Sequence, residues 1–165
     1  MFSTSEILDL AIRIEENGEH FYRQAMEKIT DPSLMAILGN VADEEVRHRE
    51  WFVNMKRSGG FQGLDSLPMK ISGFFIQDAV DGHGFSLEEV DFASLPDEES
   101  ILRVAIGFEE DSIAFYEIIG GFVEDEDTLK HLQTIIEEEK RHIALLEDRM
   151  DRMSKTGARL PLAER

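Results

Sequence analysis

Apolar residues recur at alternating spacings of three and four along four long stretches of this chain, the period of a helix that buries one face. The first stretch runs from about Ser5 to Ile29. Its stripe is Leu8, Ala11, Gly18, Tyr22, Ala25 and Ile29, with Glu15 in the middle of it. The second opens at Asp31-Pro32, an N-cap residue followed by proline at the first helical position. It carries Leu34, Leu38, Val41, Glu45, His48, Phe52 and Met55, and Ser58-Gly59-Gly60 stops it. The third begins near Pro96-Asp97, carries Leu102, Ala105, Glu109, Ser112, Tyr116 and Ile119, and ends near Gly120-Gly121. The fourth runs from about Asp125 to Met153, with Leu132, Ile135, Glu139, His142, Leu146 and Met153 on one face. Such seams predict near-parallel helices in a left-handed bundle.

The connections set the topology. Thr30-Asp31 and residues 121–124 are short, so the first two helices are antiparallel neighbours, as are the last two. Between the pairs lies Gly59 to Leu95, rich in Gly, Ser, Phe and Asp and too long for a hairpin. It must cross the length of the bundle, and Phe74–Val80 is expected to form a short helix within it. The expected fold is therefore all-α: one four-helix bundle over residues 1–154, with a crossover at about 59–95. Residues 155–165 are expected to form a flexible C-terminal tail.

The two helix pairs repeat each other. Ala11-Ile12-Arg13-Ile14-Glu15-Glu16 leading to Phe21-Tyr22 matches Ala105-Ile106-Gly107-Phe108-Glu109-Glu110 leading to Phe115-Tyr116. Asp43-Glu44-Glu45-Val46-Arg47-His48 matches Glu137-Glu138-Glu139-Lys140-Arg141-His142. The differences 109 − 15, 116 − 22, 139 − 45 and 142 − 48 all equal 94. Each half thus carries one Glu, one Tyr and one Glu-x-x-His at matched spacing.

That pattern puts charge where the helical period puts core. Glu15, Glu45, Glu109 and Glu139 fall on buried faces, while Glu16, Glu44, Glu110 and Glu138 turn about 100° away and need no explanation. A lone ionised carboxylate in an apolar interior must be neutralised, paired or bound to metal. Four of them cannot pair with one another, and Arg47 and Arg141 lie off the seam. Two divalent cations would balance four carboxylates, and His48 and His142 would complete the set as neutral imidazoles. Glu-x-x-His places both side chains on one face, one turn apart. Oxygen and imidazole donors suit iron or manganese, and zinc also binds such sets. A single Glu-x-x-His is ordinarily a solvated face, and a duplicated hairpin needs no site. The register of two such pairs with two further core glutamates favours the metal.

Other residues add less. Tyr22 and Tyr116 lie two turns beyond Glu15 and Glu109 on the same faces, either as donors to metal-bound carboxylates or as ordinary core tyrosines. Gly18 either leaves room for a substrate or lets helices approach. His20 and His131 fall on polar faces, and His83 reads as a turn residue in Asp81-Gly82-His83-Gly84. The absence of cysteine rules out thiolate sites, so a redox centre would use oxygen and nitrogen ligands and draw electrons from another molecule. A formal charge of −18 argues against nucleic acid and anionic membrane as partners. Neither a membrane-length apolar run nor a signal peptide is visible, so a cytoplasmic location is expected. Phe61, Phe74, Phe75, Phe85 and Phe92 supply apolar surface for an expected homodimer.

The repeated Ala-x-x-x-Glu with Phe-Tyr following, together with Glu-Glu-x-x-His, resembles the erythrin domain of rubrerythrins, in the ferritin-like superfamily, over nearly the whole chain. The resemblance implies a ferritin-like four-helix bundle of two helix-pair repeats. It implies two iron ions held by Glu15, Glu45, His48, Glu109, Glu139 and His142, with Tyr22 and Tyr116 hydrogen-bonding ligand carboxylates. The implied activity is reduction of peroxide or dioxygen, as in oxidative-stress defence, with an external electron-donor protein. Alternatives are ferroxidase-type iron handling, or a structural metal-binding bundle without turnover. The chain departs from the family in two ways. It lacks the four-cysteine rubredoxin domain, and Ser112 stands where rubrerythrins carry an additional Glu that exchanges with a His as iron changes oxidation state.

Overall fold

The computed structural model describes residues 3–61 and 90–157. They form four long helices, α1 (Thr4–Lys28), α2 (Pro32–Arg57), α3 (Glu98–Gly120) and α4 (Glu126–Thr156), with a 3-10 turn at Phe92–Ser94 before α3. Each helix starts where a side chain can satisfy its orphan amide groups. Ser3 and Glu6 make a capping box on α1. Asp31, Asp97 and Asp125 accept from the amides of Leu34, Ser100 and Thr128 at the starts of α2, α3 and α4. Gly157 closes α4 at φ 65°, the left-handed turn that glycine takes without a Cβ penalty. The helix therefore continues three residues past Met153, through Ser154, Lys155 and Thr156. The remainder of the expected tail, the predicted helix at Phe74–Val80, and His83 lie outside the described residues.

The helix pairs pack as antiparallel hairpins, α1 with α2 and α3 with α4. Gly60, just past α2, sits against Thr4 and Leu8 at the start of α1. Glu98, at the start of α3, sits instead near Arg149 of α4, which also faces Asp31 at the other end of α2. The two ends of the connection between α2 and α3 therefore lie at opposite ends of the bundle, as its length implied.

Burial divides the interior into three layers. At one end Leu8, Ala11, Phe52, Tyr116, Ile119 and Leu132 pack together. At the other end Tyr22, Leu34, Leu38, Leu102, Ala105 and Leu146 do the same. Between them lies a polar layer of Glu15, Glu45, His48, Glu109, Ser112, Glu139 and His142, all buried. Phe61 is buried in the first cluster and Phe92 stacks on Phe21 at 5.4 Å. Two of the five phenylalanines expected to feed a dimer surface thus pack within their own chain.

Candidate metal centre

All four helices contribute to the polar layer. Glu15 comes from α1, Glu45 and His48 from α2, Glu109 from α3, and Glu139 and His142 from α4. Each lies one or two turns from a leucine, alanine or phenylalanine of the flanking layers, so the same period that buries the apolar stripe drives the carboxylates inward. The side chains fall into two groups whose donor atoms lie within 4.8 Å of one another. One is Glu15, Glu45, His48 and Glu139; the other is Glu45, Glu109, Glu139 and His142. Glu45 and Glu139 belong to both. Glu15 with His48 and Glu109 with His142 stand at the two flanks, related by the sequence repeat.

The inward atoms are those that lack partners. Glu15 Oε2, Glu45 Oε1, both carboxylate oxygens of Glu139, and Nδ1 of His48 and His142 are buried without a hydrogen bond. Nδ1 of His48 lies 3.0 Å from Glu139 and 3.5 Å from Glu15. Nδ1 of His142 lies 2.9 Å from Glu139, 3.5 Å from Glu109 and 3.6 Å from Glu45. Orphaned donors and acceptors of this kind are costly in a protein interior. Four carboxylates and two imidazoles, two carboxylates being shared, match the donor set of two divalent cations.

The outward atoms, by contrast, are held. The Tyr22 hydroxyl donates to Glu109 Oε1 and the Tyr116 hydroxyl to Glu15 Oε1, each crossing from one repeat to the other. Of the two roles open to these tyrosines, the structure gives them the hydrogen bonds to core carboxylates. Ser112 turns back on its own helix and donates to the carbonyl of Phe108 at 2.9 Å.

Two further residues escaped sequence reasoning. Nε2–H of His48 donates to Glu138 at 2.7 Å, and Nε2–H of His142 donates to Glu44 at 2.8 Å. Glu44 is in turn gripped by Arg141 at 2.5 Å and Arg47 at 3.3 Å. The helical period correctly turned Glu44 and Glu138 off the seam. Packing of α2 against α4 then lays each over the partner histidine. The one available signal was that both repeats carry the doublet Glu-Glu before x-x-His. A carboxylate on the far nitrogen fixes the ring and leaves Nδ1 directed at the centre.

Gly18 is settled by the same geometry. A Cβ built there would collide with Oε2 of Glu45 and lie 3.2 Å from its Cδ. The space opposite Gly18 is therefore taken by a carboxylate and is not free for a substrate. His20 and His131 are exposed, as expected.

Electrostatics make the metal-free centre a proton store. Burial pushes His48 down, but Glu139 and Glu15 carry it up to about 11. Burial likewise opposes charge on His142, and Glu109 and Glu139 carry it up to about 10. Burial and the charge of Glu139 raise Glu109 to about 8 and lift Glu45 well above the carboxylate range. Burial works against the charged form of Glu139 too, but His142 and His48 outweigh it and hold Glu139 below its ordinary value. Tyr22 and Tyr116 are raised by burial and by the carboxylates they face, so their hydroxyls remain donors.

Residues 3–151 match the sequence model of the ferritin-like domain family. Among solved structures, a candidate ferritin-like diiron-carboxylate protein from Thermotoga maritima is similar at a TM-score of 0.71 and 27% identity. The match covers 95% of this chain and 97% of that one. Among curated proteins none matches. No helix among the described residues is long and apolar enough to cross a membrane.

Proposed function

The chain belongs to the ferritin-like domain family, and from that premise we propose that it is a rubrerythrin-like di-iron oxidoreductase. It reduces peroxide or dioxygen, with electrons from an external donor protein. Glu15, Glu45, His48, Glu109, Glu139 and His142 would hold two iron ions, which would supply electrons to the oxidant. The observation that carries this reading is the set of six buried atoms, from two imidazoles and three carboxylates, that face one another without hydrogen bonds.

When bound, two Fe(II) ions supply the two electrons that the oxidant needs. The remaining work belongs to the protein. Tyr116 holds one oxygen of Glu15 and leaves Oε2 directed inward. Tyr22 holds one oxygen of Glu109 in the matching way. Glu138 and Glu44 orient the two imidazoles from outside. The apolar layers above and below exclude bulk water, which strengthens every charge interaction at the centre. With Ser112 bonded to its own helix, no additional carboxylate from that position reaches the layer.

Elemental analysis of wild type beside a Glu45→Ala, His142→Ala double variant tests this reading. About two iron ions per chain, lost in the variant, are expected for such a centre. Peroxide should then oxidise the bound Fe(II) faster than free iron under the same conditions. Little metal in either protein, with normal helical folding, would sink the di-metal reading. Manganese or zinc in place of iron would retain the site and change the chemistry. A second copy as partner is proposed as well; Phe74, Phe75 and Phe85 lie outside the described residues, and size-exclusion chromatography reads the pairing directly.

A further inference from the structure

One part of the polar layer's surroundings does not follow the repeat. Trp51 is half-buried on α2, one turn beyond His48. Its indole lies flat against His131 of α4, with ring centroids 4.5 Å apart and planes 9° from parallel. The same indole meets Phe52 edge-on at 5.0 Å. Phe52 in turn lies 5.1 Å from the ring of Tyr116, whose hydroxyl donates to Glu15. An unbroken run of aromatic side chains thus links the protein surface to a carboxylate of the candidate centre.

The run on the other flank holds neither tryptophan nor histidine. Adding 94 takes Trp51 to Leu145 and Phe52 to Leu146, and subtracting 94 takes His131 to Ile37. Tyr22, the counterpart of Tyr116, meets Phe21 edge-on at 5.4 Å, and Phe21 stacks on the half-buried Phe92 at 5.4 Å, so that run is built of phenylalanine, whose ring is far harder to oxidise than an indole. Ligand-type residues and tyrosines are duplicated, whereas the tryptophan and the histidine stand on one side alone. Core packing does not demand the difference, since Leu146 fills the position equivalent to Phe52 and is fully buried.

We propose that Trp51 is a redox-active residue that gives one electron, through Phe52 and Tyr116, to an oxidant reacting at the buried centre when the centre itself is one electron short. The proposal rests on the di-iron reading above. Reduction of hydrogen peroxide to two waters takes two electrons and two protons. A centre with one ferrous ion supplies one electron and becomes ferric. Trp51 supplies the other and loses its indole N–H proton to solvent, leaving a neutral indolyl radical. One further proton from solvent completes the balance: peroxide, one ferrous ion, tryptophan and one proton give two waters, one ferric ion and the radical. The radical then sits near the surface, where a one-electron donor can reduce it, and away from the glutamates and histidines of the core.

Trp51 is the single tryptophan of the chain, which makes the test direct. Protein grown with ring-deuterated tryptophan is loaded anaerobically with one ferrous ion per chain, mixed with peroxide and freeze-quenched for electron paramagnetic resonance. Iron content and iron oxidation are measured on the same samples. The expected result is an organic radical whose signal narrows on deuteration. It should be absent in Trp51→Phe, reduced several-fold in Tyr116→Phe, and weakened when two ferrous ions per chain are supplied. Tyr22→Phe removes the same kind of hydrogen bond from the opposite flank, and there the radical formed per iron oxidised should fall less than in Tyr116→Phe. A radical that does not narrow, or that falls equally in Tyr22→Phe and Tyr116→Phe, overturns the relay. Iron that oxidises normally with no indole signal overturns it alone. Iron that fails to bind, or stays ferrous under peroxide, overturns the di-iron reading and the relay with it.

Discussion

The α-carbon of Gly18 on α1 faces the carboxylate of Glu45 on α2 so closely that an added methyl would overlap Oε2. Glycine in the middle of a helix costs roughly 1 kcal/mol relative to alanine, so its presence at Gly18 opposes helix propensity. The geometry explains the exception: the missing side chain is the space in which a buried carboxylate sits. Gly18→Ala should therefore behave unlike an ordinary helix-stabilising change. The helix content is expected to hold while Glu45 is displaced and metal per chain falls, with affinity lower by on the order of tenfold or more. Circular dichroism beside elemental analysis checks this, and unchanged metal binding in Gly18→Ala would mean that Glu45 is not needed where it stands.

Glu44 and Glu138 yield a second expectation. Each accepts from the far nitrogen of a histidine in the opposite repeat, and partners of that kind typically contribute about 10- to 100-fold to metal affinity. Glu138→Ala and Glu44→Ala should weaken metal binding by such a factor without unfolding the bundle. Glu16→Ala, at an exposed position of α1, should do nothing. Competition against a chelator of known strength gives the ratio for all three.

What could be read in advance divides along a physical line. Helix faces, caps and the six inward side chains follow from a local period, and Leu8, Glu15, Tyr22, Leu38, Glu45 and Glu139 all lie buried where that period put them. Glu44, Glu138, Trp51 and His131 acquire their roles only when α2 meets α4, a relationship that no window on one helix contains. Gly18 shows the intermediate case. Its oddity was visible in the sequence, but its reason lies on the neighbouring helix. α4 runs past Met153 because nothing in Ser154, Lys155 or Thr156 stops a helix, and the stop signal is Gly157.

A third expectation concerns stability away from the centre. Arg149 lies 3.4 Å from Asp31 and 3.5 Å from Glu98, joining the starts of α2 and α3 to the last turns of α4. Glu98 is buried, and burial raises it above the ordinary carboxylate range in spite of Arg149. Removing the guanidinium would strand that carboxylate. Arg149→Met should cost on the order of 1–3 kcal/mol. Metal content should be untouched, because this cluster lies beyond the apolar layer that separates it from the centre. Denaturant unfolding reads the loss, and Glu98→Gln in the Arg149→Met background should recover part of it.

The fourth expectation is a pH dependence whose sign depends on metal. In the metal-free protein His48 and His142 are carried from 6.5 to about 11 and about 10 by the glutamates around them. A group whose pKa is raised by folding stabilises the native state fully below its unfolded value. That contribution is lost as pH climbs through the folded value. Glu109, raised to about 8 by burial and by Glu139, acts in the same direction. Glu139 is held low, so its contribution is lost only on the acid side, below 4.5. Metal-free protein should therefore lose stability from neutral pH upward. A cation must displace the protons on Nδ1, so its binding strengthens over the same range. With redox-inert zinc as the probe, the gain in Tm on adding metal should be larger at about pH 8 than at about pH 6. Calorimetry at both pH values decides it. A gain independent of pH would mean that the buried imidazoles are not the groups the metal displaces protons from.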